Sequence, residues 1–156
     1  MKTYILSLVL LVVAGVTGTE KVQAQNSSLS VNDCLSLLNR DNLFDETLID
    51  KILENKGFVK NEINEDEIDC DHFYRYTSKK DGTMIEIYGE YSDTGSTEYL
   101  DIYFPTPSEA FFFSPDEGDT KWTLDSKSEY DNSKYTHKTG VIMKRLGRLV
   151  EFKYDF

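Results

Sequence analysis

Residues 72–91 read HFYRYTSKKDGTMIEIYGEY, and this stretch decides the fold. Both ends are rich in aromatic and β-branched side chains. Asp81-Gly82 between them is a strong hairpin signal, because glycine tolerates the left-handed backbone that tight turns require. The pattern predicts two antiparallel strands, 72–79 and 83–91. Working outward, a turn over 92–96 leads into 97–104, where Leu100, Ile102 and Phe104 line one face. Three strands in succession make an antiparallel meander. Strand character returns at 121–124, 135–139, 141–146 and 149–156. In the last of these Val150, Phe152, Tyr154 and Phe156 alternate with Glu151, Lys153 and Asp155, which places the C-terminus inside the sheet.

Helical signals flank the meander. Ser30 followed by Asp33 resembles a capping box, and Val31, Cys34, Leu35 and Leu38 recur at the spacing of one apolar helical face. Asp45 caps a second helix whose stripe is Leu48, Ile49, Ile52 and Leu53, and Lys56-Gly57 ends it. Thr106-Pro107-Ser108-Glu109 predicts a third, brief helix that Pro115 must stop. The expected fold is α+β: an N-terminal helical pair packed on an antiparallel sheet of five to seven strands.

Residues 1–24 have the order of a cleavable secretory signal: Lys2, an apolar run from Ile5 to Ala14, then Val22-Gln23-Ala24 before the cut. Ten apolar residues rise only about 15 Å as helix, half a bilayer core. The expectation is therefore a secreted or periplasmic protein, with residues 25–156 forming one domain. Losing Lys2, Lys21 and Glu20 takes the formal net charge from −11 to −12. A field of that sign repels nucleic acid and anionic membranes and favours basic partners. It also serves solubility alone.

Cys34 and Cys70 are the two cysteines, and an oxidising compartment favours a bridge between them. The alternative is two reduced thiols, since Cys34 falls on an apolar helical stripe.

No catalytic signature is present. His72 lies two residues after Cys70, but no third orienting group completes a nucleophilic set. The acidic run Glu62, Glu65, Asp66, Glu67, Asp69, Asp71 has no register that matches an EF-hand loop, and the cysteines and histidines lack zinc-site spacing. Neither a metal nor a cofactor is expected. The aromatic content is more informative. Tyr74, Tyr76, Tyr88, Tyr99, Tyr103 and Trp122, with Glu86, Glu90 and Asp101 beside them, suit a sheet face that docks a partner. The competing explanation is half-buried strand residues covered by helices. Three functional classes follow: a non-catalytic module binding a basic protein, as an inhibitor or immunity-type protein does; a glycan or small-ligand binder; and a small hydrolase using paired carboxylates.

Overall fold

The computed structural model describes residues 29–38, 45–64, 68–93, 95–116, 118–127 and 132–155. The expected signal segment 1–24, the acids at 65–67 and Phe156 lie outside them. No helix among the described residues is long and apolar enough to cross a membrane.

Each described helix begins where a polar side chain satisfies the unbonded amides of its first turn. Helix α1 spans Val31–Leu37 and opens on a complete Ser30/Asp33 capping box. Helix α2 spans Glu46–Asn55, with Asp45 accepting from the Leu48 amide. It stops at Gly57, whose φ of 83° carries the chain into the sheet. Helix α3, Pro107–Phe112, opens on a Thr106/Glu109 box with proline in its first turn.

The strands are β1 (Phe58–Lys60), β2 (His72–Ser78), β3 (Met84–Ser92), β4 (Gly95–Tyr103), β5 (Trp122–Lys127), β6 (Ser133–His137), β7 (Ile142–Leu146) and β8 (Leu149–Asp155). All eight join one antiparallel sheet in the order β1-β2-β3-β4-β8-β7-β6-β5. The count exceeds the expected five to seven. The extra strand, β1, has three residues, too few to carry a periodic signal, and pairs with the end of β2. Two four-stranded meanders are thus joined through their last strands, β4 and β8. Helices α1 and α2 precede β1, and α3 occupies the link between the meanders.

One face of the sheet is covered. Val31, Cys34, Leu37, Leu38, Ile49 and Leu53 from α1, α2 and their flanks merge with Tyr76, Ile85, Ile87, Leu100, Ile102, Met143, Val150 and Phe152 into a single core. Full burial of each such aliphatic or aromatic side chain contributes about 1.5–3 kcal/mol. Polar side chains within this layer have partners. The Tyr76 hydroxyl donates to Asp50 of α2 at 2.6 Å, and Lys60 of β1 reaches Glu46 and Asp50 of the same helix. Buried Arg145 donates to the Phe111 carbonyl at 2.5 Å and to Ser133 at 3.0 Å, tying α3 to the second meander.

Gly89 stands on the covered face between His72 and Glu98, its directly opposite neighbours. Those two side chains approach to 3.1 Å across the space that a Cβ would fill. A methyl there would overlap the imidazole of His72 and lie 2.7 Å from the Glu98 carboxylate. Gly89→Ala should therefore destabilise by about 2 kcal/mol, the usual size of an overpacking penalty. In a His72→Ala background the same substitution should cost at most half as much in urea midpoint as it does in the parent. An unchanged midpoint in the single variant would contradict this packing.

Candidate functional site

The face turned away from helices α1 and α2 is ordered by cross-strand register. Residues directly opposite on neighbouring strands place their Cβ atoms about 5 Å apart, so each register row is a row of touching side chains. One row reads Phe73, Tyr88, Tyr99, Lys153 across β2, β3, β4 and β8. The Tyr88 and Tyr99 rings stack with centroids 4.9 Å apart and 12° between planes, and Phe73 lies 6.2 Å from Tyr88. Lys153 sits over Tyr99 at 5.9 Å, and Arg75 over Phe73 at 5.2 Å. Each ring thus already faces another ring or a cation.

The next row is charged: Arg75, Glu86, Asp101, Glu151, Lys144, Lys134. Three carboxylates stand directly opposite one another at its centre, an arrangement that costs stability unless each is compensated. The outer two are. Arg75 donates to Glu86 at 2.6 and 2.8 Å, and Lys144 to Glu151 at 3.1 Å. Lys134 turns to Asp125, 3.4 Å away. Among the described residues no cation pairs with Asp101.

Asp101 is also sealed. Tyr99 and Tyr103, two residues to either side on β4, share its face. Tyr88 and Tyr103 donate to its Oδ2 at 3.2 and 3.4 Å, both long for hydroxyl-to-carboxylate contacts. Its Oδ1 has no partner among the described residues, and the residue keeps only 5% of its surface. Burial, then the charge of Glu151 and more weakly that of Glu86, push its carboxyl up to about 6, against the opposing pull of the two phenol bonds. The phenols respond in kind: burial and the Asp101 charge raise both Tyr88 and Tyr103 above the ordinary tyrosine value.

Over this group lies a cavity of about 310 Å³. Ile63, Ile68 and Phe73 form apolar walls. Asp69, Glu86, Glu90 and Asp101 supply the acids, and Tyr88 and Tyr103 the phenols. The carboxylates do not converge as a metal requires, and no cluster of three or more metal-ligating side chains occurs among the described residues.

Of the residues singled out from sequence, Glu86, Tyr88, Glu90, Asp101 and Tyr103 meet at this cavity, and Tyr99 completes the aromatic row. Tyr74, Tyr76 and Trp122 do not join them. Tyr76 is buried under α2, Tyr74 packs against the same core, and Trp122 lies beside His137 with ring centroids 4.9 Å apart. For Tyr74 and Tyr76 the alternative of helix-covered strand residues is the one observed. Phe73, Arg75 and Glu151 belong to the site and were not singled out. Their alternation with residues of the covered face was the available signal.

The two cysteines are not bridged, a correction to the expected disulfide. Cys34 is buried in the α1 core, where desolvation pushes its thiol well up. Cys70 lines the cavity instead, its Sγ 3.2 Å from the His72 carbonyl. Burial, followed by Asp71, Glu90 and Asp69, raises its thiol too, so neither cysteine is an activated nucleophile. The His72 ring turns to Glu98 rather than to Cys70.

Compared with known proteins, the chain matches no family model, no curated protein and no solved structure.

Two outcomes follow. A carboxyl that holds its proton more tightly when folded favours the folded state most below its unfolded value. That contribution fades as pH rises through the folded value. For Asp101, between 3.8 and about 6, the loss amounts to about 3 kcal/mol by neutral pH. Asp101→Asn should hence melt at least ~5 °C higher than the parent at pH 8, with no gain at pH 4. An equal or lower melting point at pH 8 would refute the strained carboxylate. Separately, titration with an aromatic disulfide reagent should count about one slowly reacting thiol in the native protein and both in urea. No thiol in urea without reductant would mean that the pair is bridged.

Proposed function

We propose that this is an exported, non-catalytic interaction module that binds a basic protein partner through the open face of its sheet, in the manner of an inhibitor or immunity-type protein. Its support is the carboxylate row. Three acids stand side by side, the outer two carry their own cations, and among the described residues none pairs with the central one. A carboxylate raised and buried this way weakens the free protein, and a cation supplied by a partner relieves that cost on binding. Tyrosine edges and hydroxyls around it give a surface that tolerates both water and a protein covering. The net charge, −12 once residues 1–24 are removed, adds steering toward a basic surface. The export segment rests on the sequence of residues 1–24.

The alternatives fare less well on the same geometry. A sugar would stack on an open ring face, whereas Phe73, Tyr88 and Tyr99 stack on one another. A hydrolase would draw support from the raised carboxyl of Asp101 beside Glu86 and Glu90. A paired-carboxylate hydrolase needs a second free acid beside the proton donor, however, and Glu86, directly opposite Asp101, is held by Arg75 at 2.6 and 2.8 Å.

The test is affinity capture from exported fractions of the native host with the tagged protein at low and moderate salt. A stoichiometric basic partner should be retained, lost as salt rises, and weakened at least about tenfold by the double variant Glu86→Gln/Glu90→Gln. Capture that ignores both salt and those acids would defeat the proposal.

A further inference from the structure

We infer that the cavity over Asp101 is a subsite for a single arginine side chain, the guanidinium facing the Tyr88–Asp101–Tyr103 group and the aliphatic stem lying along Ile63, Ile68 and Phe73. This rests on the proposed basic-partner function and names the group that the partner inserts.

The structure contains a precedent for the fit. Arg75 lies over the Phe73 ring at 5.2 Å and donates twice to Glu86 across the adjacent strand. A guanidinium against an aromatic ring with a carboxylate at its edge is thus already housed in this cavity. The arrangement repeats one strand further on, at Asp101 with Tyr88 and Tyr103, but there the cation is missing among the described residues. The unpartnered Oδ1 is a buried acceptor in a residue with 5% exposure, and an ionised acceptor left unmade is costly. The phenol bonds to Oδ2, at 3.2 and 3.4 Å, are long enough to be exchanged for shorter N–H donors.

The cavity also discriminates among cations. Its apolar walls suit a long stem capped by charge, and its acids form no metal-holding cluster among the described residues. A guanidinium is planar, weakly hydrated and rich in donors, so it can bond Asp101 and a neighbouring acid together while lying flat on a ring. An ammonium is compact and strongly hydrated, and does this less well.

The experiment titrates the isotopically labelled protein with N-acetyl-arginine amide and follows backbone amide shifts. N-acetyl-lysine amide and the neutral N-acetyl-citrulline amide run in parallel. Saturable shifts clustered at Phe73, Tyr88, Asp101 and Tyr103 should appear in the millimolar range for the arginine compound. The lysine compound should bind at least threefold more weakly, and the citrulline compound should give no clustered shift. Asp101→Asn should weaken the arginine compound at least tenfold. Glu54→Gln, which removes an exposed charge from helix α2 outside the cavity, should change it less than threefold. Equal binding of citrulline, equal or tighter binding of lysine, or equal loss in the two variants would each overturn the subsite. If the arginine compound shows no clustered shift while capture of a basic partner stays sensitive to salt and to Glu86 and Glu90, the subsite fails and the proposed function stands. If the compound binds as described and no basic partner is captured, the subsite stands without that function.

Discussion

Strands β4 and β8 pair over seven residues, from Thr97 against Asp155 to Tyr103 against Leu149. This pairing makes one sheet out of two meanders. It brings Leu100 opposite Phe152 and Ile102 opposite Val150 at the centre of the covered face. On the other face the same register sets Asp101 beside Glu151. Fully buried core residues and the least compensated acid of the opposite face are thus two sides of one ladder. A slip of one residue would exchange them, burying Asp101 among aliphatics and exposing Leu100 and Ile102. The hydrophobic face holds the register, and the register holds the acids together.

Along the charged row of the other face, two of the three adjacent acids are paired and the central one is not. Arg75, Lys144 and Lys134 each answer one acid, and their ion pairs are partly exposed and individually worth little. Asp101 differs because it is covered by phenols and no cation among the described residues answers it. Removing water from an ionised carboxylate without supplying a partner is among the more expensive things a fold can do. Nothing in the core requires an acid at that position. It touches the open side of the sheet, where a neutral residue would serve the packing equally well.

Much of the fold was legible locally. Ser30/Asp33, Asp45 and Thr106/Glu109 mark helix starts by a mechanism confined to four residues, and the structure places the caps there. The same holds for the Asp81-Gly82 turn and the alternation of 149–155. What was not legible lies in pairing between distant segments. Tyr74 and Tyr76 look like companions of Tyr88 because all three are tyrosines on one hairpin. The turn sets His72 against Gly89, however, so even positions of β2 share a face with odd positions of β3. Tyr74 and Tyr76 therefore fall beneath the helices with Ile87 and Ile85, while Phe73 and Arg75 join Tyr88 and Glu86. Glu151 enters the site only through β8 crossing to β4, which no local pattern specifies. The expected disulfide failed for a related reason: the compartment argument says nothing about where two thiols sit.

The joining of the meanders also has a bearing on how the chain reaches this state. Within each meander every strand pairs with its sequence neighbour, so those ladders close short loops at small entropic cost. The β4–β8 ladder is different: Thr97 bonds Asp155 across 58 residues, and closing it must await the α3 link and the whole second meander. Folding should accordingly be rate-limited by this one long-range zipper, with each half already hairpin-like beforehand. Until it closes, β4 and β8 are both exposed edges with apolar faces, so the interval before their union is when the chain is most open to pairing with a neighbour.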